Sequence, residues 1–168
     1  MNRRLLLLPL AALGAALGAT PAAAQGCASP ASLHAPQPPL PKEPLVIVTR
    51  DGKQHRFEVE MALSPAQQEV GLMSRPSVAA DGGMLFNWPT VQQSRMWMCN
   101  TLASLDMVFI KPDGTIDSIA ENTVPQSLAE VDSHGPVRAT LELAAGTTAK
   151  LDIRVGDKVK QRIFGNAG

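Results

Sequence analysis

The stretch from Met96 to Phe109 constrains the fold most strongly, because it sets asparagine, threonine and aspartate among large apolar residues. Within it, residues 105–110 are apolar on both alternating faces, which predicts a strand buried on both sides. Asp106 then lies in the core, where an unpartnered polar group costs roughly 1–3 kcal/mol or more. Arg75 is the first expected partner because its guanidinium suits a bidentate pair, and backbone amides near Asn100 are the alternative.

Turn residues divide the rest of the chain into short elements. Alternating apolar residues on both sides of Asp51-Gly52 predict a β-hairpin, and Ser64 with Pro65 begins a short helix that runs to about Ser74. Further strands are expected near residues 84–86, 95–99, 105–111, 116–120, 138–143 and 158–164, with a helical turn ending at 151 and a long loop over 121–136. The fold class is therefore α+β, mainly antiparallel, a compact meander or partly closed barrel with one or two short helices.

The N-terminal end indicates export. Arg3 and Arg4, a short Leu- and Ala-rich run and an A-x-A site predict a signal peptide over residues 1–24. Prolines dominate the next segment, so residues 25–43 are predicted to be a disordered tether. Residues 44–164 form a single domain, followed by a tail over 165–168. The expected location is the periplasm or the exterior.

Cys27 opens an alternative to soluble export. The sequence before it permits a lipoprotein cleavage site, at which Cys27 would be acylated and the domain anchored in the envelope. Because the usual leucine three places earlier is missing, we favour the soluble form. Cys27 and Cys99 could also form a disulfide, but Cys99 in an apolar strand is expected to be a buried free thiol.

Charge and composition argue against nucleic acid as a partner. The full chain has 15 basic and 15 acidic residues, and removal of the signal peptide leaves 13 and 15. The basic residues are scattered, aromatic residues are few and tyrosine is absent. Neither a phosphate-binding stripe nor a base-stacking surface is indicated. An envelope protein or a small ligand is the expected partner, and no cofactor is predicted.

Several motifs resemble one family. They are Gly71-Leu72-Met73-Ser74-Arg75, Gly83-Met84-Leu85-Phe86, Trp97-Met98-Cys99-Asn100-Thr101, Leu105-Asp106 and Leu141-Glu142-Leu143. Together they resemble the bacterial and archaeal family called domain of unknown function 192. The resemblance implies a β-rich domain but no activity. The chain departs from the family pattern at Cys99, where lysine is usual, and at Ser104, where proline is usual.

The candidate site is a polar cluster of Arg75, Asn100, Thr101, Asp106 and Glu142. It could line a small pocket, or it could be a buried network that fixes loops, which we favour. We therefore expect a non-catalytic binding or structural domain of the envelope. An enzyme that uses Asp106, Asn100 and Arg75 is the alternative, although the histidines, His34, His55 and His134, stand in no catalytic or metal motif.

A second alternative is a periplasmic Cu(I)-binding protein. Met96, Met98 and Cys99 are the candidate soft ligands, near Met73, Met84 and Met107. Strand alternation places Met96 and Met98 on one face and Cys99 on the other, which argues against a shared site. Methionine also fills irregular cores, so packing is the favoured interpretation.

Overall fold

The computed structural model describes residues 35–167, and these form seven strands, two short helices and one 3₁₀ turn. In chain order the elements are β1 (Lys42–Val48), β2 (Gln54–Ala62), α1 (Pro65–Val70), β3 (Gly82–Met96), β4 (Leu105–Ile110), β5 (Ile116–Ala120), β6 (Val131–Ala144), α2 (Thr147–Leu151), β7 (Lys158–Lys160) and the 3₁₀ turn Arg162–Phe164. The predicted signal peptide, Cys27 and His34 lie outside the described residues.

The strands form one sheet in the order β5-β4-β6-β3-β2-β1-β7. All neighbours are antiparallel except β2 and β3, which run parallel. The sheet curls until its ends meet, where Thr115 bridges to Lys158 and the Val159 N–H donates to the Gly114 carbonyl at 2.8 Å. The predicted α+β fold with a partly closed barrel is confirmed.

The opening hairpin and the first helix begin where the sequence indicates. Val48 pairs with Gln54 across the turn, and Gly52 takes the left-handed conformation that this turn requires (φ +84°). Ser64 caps α1 by accepting from the Gln67 N–H at 3.3 Å, while Gln67 Oε1 accepts from the Ser64 N–H at 2.9 Å. The helix ends at Val70, before the predicted Ser74, because Gly71 adopts a positive φ of 50°.

Two long strands correct the sequence-based boundaries. β3 is one strand, not two, and its pairing with β6 skips between Asn87 and Gln92. β6 begins at Val131, inside the predicted loop. β3 contains Pro89 and β6 contains Pro136, and each proline lies within or beside an irregularity in the pairing of the two strands. These prolines therefore mark bulges within the strands and not the ends of the strands. The last predicted strand is shorter than expected, because β7 ends at Lys160 and a 3₁₀ turn follows.

Apolar side chains pack on both faces of the sheet. The barrel interior contains residues from every strand, among them Leu45, Phe57, Leu85, Val108 and Leu141. The outer cluster comprises Met84, Phe86, Leu105, Met107 and Phe109, covered by Leu72 and Met98 from the connecting segments. All six residues of β4 are buried, which confirms the prediction of a strand buried on both sides.

The described part of the N-terminal arm packs on the domain. Gln37 Nε2 donates to the carbonyls of Gly71 at 2.8 Å and Gln67 at 3.2 Å, which satisfies acceptors at the end of α1. The Pro41 carbonyl accepts from the Met61 N–H at 3.0 Å. The predicted tether thus contacts the domain from Gln37 onward, while residues 25–34 lie outside the described range.

Candidate functional site

Asp106 is fully buried and serves as a structural acceptor. Its side chain lies at one end of the barrel, where Oδ1 accepts from the N–H groups of Asn122 at 3.0 Å and Gly146 at 3.1 Å. Oδ2 accepts from the Thr148 N–H at 2.9 Å and hydroxyl at 2.8 Å. The expected partners, Arg75 and amides near Asn100, are therefore wrong, because backbone donors at the start of α2 satisfy this carboxylate.

Arg75 pairs with an acid that the sequence analysis did not single out. Its Nη1 and Nη2 donate to Glu60 Oε1 at 2.5 Å and Oε2 at 2.9 Å, a bidentate ion pair on the outer face of the sheet. The Leu40 N–H also donates to Glu60 Oε2 at 2.8 Å. Burial alone would raise the pKa of Glu60, but the hydrogen bonds from Arg75 and Leu40 outweigh it and lower this pKa.

The loop after β3 carries two further candidates, Asn100 and Thr101. Asn100 adopts a positive φ of 53°, and its carbonyl accepts from the Ser74 N–H at 2.8 Å. It lines a cavity of about 290 Å³ beside the arm. The buried Thr101 donates its hydroxyl to the Cys99 carbonyl at 3.2 Å. The proposed combination of Asp106, Asn100 and Arg75 is therefore not brought together.

Cys99 is disulfide-bonded, which corrects the expectation of a buried free thiol. The sequence signal was present, since two cysteines together with a signal-peptide pattern make a chain a candidate for a disulfide. Neighbouring Met98 is fully buried, and its sulfur accepts from the Thr123 hydroxyl at 3.2 Å. Two of the three copper-ligand candidates are thus engaged in the fold.

A cavity with a volume of about 370 Å³ lies on the outer face of the sheet, beside α1. One wall comes from α1 and the segment after it, including Gln68 and Met73. The other comes from β3 and the loop that follows, including Phe86 and Trp97. Two members of the predicted polar cluster, Thr101 and Glu142, line this cavity. Its size is within the range of small-molecule sites.

Glu142 lies at the floor of the cavity. Met84 on β3 and Met107 on β4 are its direct cross-strand neighbours, so apolar side chains flank it on both sides. The residue is 4% exposed, and Oε2 has no hydrogen-bond partner among residues 35–167. Burial raises the pKa of Glu142 to about 8. Such an unpartnered acid in a cavity is a candidate for direct ligand contact.

Aromatic side chains form a second feature of the cavity. Phe86 and Trp88 alternate along the same face of β3, with ring centroids 5.8 Å apart. The Trp88 indole donates to the Thr140 hydroxyl at 3.2 Å, and that hydroxyl lies 2.9 Å from the hydroxyl of Ser94. The polar pair fixes the indole in place, so this wall is preorganised.

The rim of the cavity is exposed and charged. Trp97 is 48% exposed there, and Glu69 and Arg95 are also exposed. The charged residues that line the cavity are therefore Glu142 at the floor and one acid and one base at the rim. Deep in the cavity, the acidic group stands without a basic neighbour.

Glu142 belonged to the predicted polar cluster, but its aromatic neighbours in the cavity, Phe86 and Trp88, were not predicted as part of the site. Alternation of Met84, Phe86 and Trp88 at every second residue was the signal that could have placed all three on one strand face. The strand predicted near residues 84–86 did not include Trp88. Glu60 escaped notice because it alternates with Val59 and Met61, as an exposed residue does.

Two of the three histidines, His55 and His134, lie within residues 35–167. No group of three or more His, Cys, Asp or Glu side chains is placed to hold a metal ion in this part of the chain. His55 is half-buried on β2 and His134 is exposed on β6. No helix among the described residues is long and apolar enough to cross a membrane.

Comparisons with known proteins agree with the resemblance seen in the sequence. A crystal structure described as "a putative transcription regulator" from Sinorhizobium meliloti 1021 is 43% identical, with a TM-score of 0.73, covering 76% of this chain and 98% of that one. A protein of unknown function from Novosphingobium aromaticivorans DSM 12444 is 34% identical, with a TM-score of 0.70, covering 73% of this chain and 86% of its own. No curated protein matches. The model of domain of unknown function 192, described as an uncharacterized ACR, matches residues 46–161, and the chain belongs to this family.

Proposed function

We propose that this protein is a non-catalytic binding domain of the cell envelope that holds a small molecule in the cavity above Glu142. The observation that carries the proposal is the unpartnered Oε2 of Glu142 at the floor of a cavity of about 370 Å³. A buried polar group without a hydrogen-bond partner lowers the stability of the folded state by about 1–3 kcal/mol. A ligand that contacts Glu142 would offset this cost, which gives the acid a use that packing alone does not.

The arrangement favours binding over catalysis. A raised pKa would suit Glu142 to general acid–base chemistry, and this supports an enzyme as the second candidate. A nucleophile or a second acid would have to stand beside it. The buried hydroxyl in the cavity, that of Thr101, donates to a backbone carbonyl, and Glu69 lies at the rim. A single acid among apolar walls fits recognition better than bond cleavage.

Export is part of the proposal and rests on the signal-peptide pattern of residues 1–24. The disulfide at Cys99 supports an oxidising compartment. Because the sequence has only two cysteines, a disulfide within the chain would use Cys27 and leave no thiol for acylation. We therefore favour the soluble form over the lipid-anchored one, and the balanced charge favours partners other than nucleic acid.

Intrinsic fluorescence provides a direct test of binding. Trp88 and Trp97 both line the cavity, and the chain has two tryptophans and no tyrosine. Some members of a library of small polar and charged molecules should therefore change the tryptophan emission spectrum, and the change should saturate as the concentration of the molecule rises. Trp97→Ala keeps Trp88 as the reporter and should weaken these hits, whereas Leu128→Ala, at an exposed apolar residue that does not line this cavity, should leave them unchanged.

Native mass spectrometry of the protein purified from its own envelope provides the second measurement. A bound small molecule that is lost on denaturation would support the proposal, and the intact mass would report cleavage after Ala24 and acylation of Cys27. A protein without bound molecules, combined with a library that leaves both tryptophans unaffected, would overturn a binding function for this cavity.

A further inference from the structure

From the chemistry of the cavity, and resting on the binding function proposed above, we infer that its ligand is a small organic cation whose charge is an alkylated ammonium. The group would sit against the Phe86 and Trp88 wall with its charge facing Glu142. Three features of the cavity lead to this ligand class: the unbalanced acid at the floor, the aromatic wall and the apolar lining that surrounds them.

The unbalanced acid is the first feature. Glu60, the other buried acid on this face, is neutralised by a bidentate arginine, but Glu142 has no comparable partner. Its direct neighbours across the sheet are Met84 and Met107, which carry no charge. The cavity thus lacks one positive charge at its floor, and a cationic ligand would supply it.

Charged groups at the rim do not remove this imbalance. Glu69, which follows Gln68 on α1, adds a second acid, and Arg95 on β3 adds one base. Arg95 is exposed to solvent, where its charge is screened. An anionic ligand could meet Arg95 at the rim, but it would then have to approach the buried carboxyl of Glu142. A cation instead stabilises the ionised form of Glu142.

The aromatic wall is the second feature. Phe86 is fully buried and Trp88 is half-buried, with its indole N–H held by Thr140 so that the ring cannot turn freely. Trp97 adds a third ring at the rim. Aromatic faces attract cations, tryptophan most strongly, and cages of such rings recognise quaternary ammonium groups. A cation between this wall and Glu142 would be stabilised from two sides.

The apolar part of the lining is the third feature, and it favours an alkylated ammonium over a primary amine. A primary ammonium has three N–H donors to satisfy. Apart from the two carboxylates, the side-chain oxygen acceptors among the lining residues are those of Gln68 and Thr101, and the rest of the lining is largely apolar. Alkyl groups on the nitrogen remove donors and pack instead against Met73 and Leu72.

A matched pair of probes tests the inference on the full-length mature protein. Choline carries a trimethylammonium group, and 3,3-dimethylbutan-1-ol has the same shape without the charge. We expect choline to change tryptophan emission and to bind at least about tenfold more tightly than the neutral alcohol. The anion 3,3-dimethylbutanoate, with a similar apolar group, is expected to bind more weakly still.

The protonation state of Glu142 gives a second readout. Glu142 has a pKa of about 8 in the unliganded protein, so its side chain is mostly protonated at pH 7. A cation that binds the ionised form should therefore displace nearly one proton per ligand at this pH. Calorimetry in two buffers of different ionisation enthalpy measures this number. Affinity should rise from pH 6 to pH 8 and then level off. Glu69 and Arg95 are the other charged groups that line the cavity.

Two substitutions locate the effect. Glu142→Gln should weaken choline binding at least about tenfold and abolish proton release, whereas Glu69→Gln at the rim should change affinity only about twofold. Far-ultraviolet circular dichroism checks that both variants keep the fold. If the neutral alcohol or the anion binds as tightly as choline, the cationic ligand class is wrong while a binding cavity stands. If no probe alters tryptophan emission and the purified native protein carries no ligand, both proposals fail.

Discussion

Glu60 and Glu142 are both cross-strand neighbours of Met84, one on β2 and the other on β6. They therefore lie on the same outer face of the sheet, separated by one methionine. Arg75 neutralises Glu60 with two hydrogen bonds, whereas Oε2 of Glu142 has no partner among the described residues. Of these two buried acids, only Glu60 is therefore neutralised by a basic side chain.

The pH dependence of stability should reveal the buried acid. Glu142 has a folded pKa of about 8, above its ordinary value of 4.5, so between these values the native state retains a proton that the unfolded state has lost. Stability of the unliganded protein therefore falls as pH rises through this window, by up to about 1 kcal/mol per pH unit. Glu142→Gln removes this loss, so its advantage over the parent should grow from pH 5 to pH 8. Urea unfolding at several pH values measures both proteins.

The comparison between Glu142→Gln and the parent removes contributions from other groups, because all remaining acids are shared. Glu69→Gln at the exposed rim is the control and should give a nearly constant difference from the parent. Parallel stability curves for Glu142→Gln and the parent would show that the acid is solvated or paired, contrary to its position in the structure.

The ion pair between Arg75 and Glu60 should make a large and pH-dependent contribution. Arg75→Met leaves Glu60 buried and unpaired, at an expected cost of about 3–5 kcal/mol at pH 7. The folded pKa of Glu60 is lowered in the parent, so the pair contributes fully above its ordinary value of 4.5 and the contribution is lost as pH falls. The cost of Arg75→Met should accordingly shrink at pH 4. Urea unfolding at the two pH values checks this.

A double substitution separates pairing from packing at this position. Glu60→Gln combined with Arg75→Met should recover much of the stability that Arg75→Met alone loses, because no buried charge remains. If the double variant is as unstable as the single one, the arginine contributes mainly through the packing of its aliphatic part.

Asp106 should affect stability and not the cavity. Asp106→Asn replaces one acceptor oxygen by an NH₂ group that must face backbone N–H donors, which should cost about 3 kcal/mol and loosen α2. The side chain lies on the opposite face of β4 from Met107, the neighbour of Glu142. Ligand affinity should therefore stay within about twofold of the parent, as measured by tryptophan fluorescence. A folded Asp106→Asn variant that loses binding would return Asp106 to the site.

The sequence predicted those elements whose signals are local. The Asp51-Gly52 turn, the cap at Ser64 and the two apolar faces of β4 depend on neighbouring residues and appear where expected. The length of β3 could not be predicted in the same way. Its pairing with β6 carries it past Pro89, and that pairing joins residues that are 35 (Met96 and Val131) to 58 (Met84 and Glu142) positions apart in the chain.

The hydrogen-bond partners of the candidate site residues also depend on contacts between segments that are distant in the sequence. A buried carboxylate such as Asp106 can be satisfied by a guanidinium or by backbone amides, and sequence alone does not distinguish them. The acid that Arg75 needed was Glu60, whose alternation with Val59 and Met61 indicated exposure. A second layer of chain over the outer face buries it instead. The same layer creates the cavity in which Glu142 lies.

Gly83 should be required for the close approach of β3 to the strand that carries Glu142. A Cβ added at Gly83 would lie 2.4 Å from the Glu142 carbonyl oxygen, a backbone atom that cannot rotate away. Gly83→Ala should therefore push the two strands apart and destabilise the protein by about 2–4 kcal/mol. Gly135→Ala is the matched control, since its nearest atom lies at 3.9 Å and its φ is not positive, and its effect should be within about 0.5 kcal/mol. Because the separation of the strands would also move Glu142, Gly83→Ala should shift tryptophan emission in the folded protein. Equal stabilities for the two variants would show that β3 and β6 can separate at this point without cost.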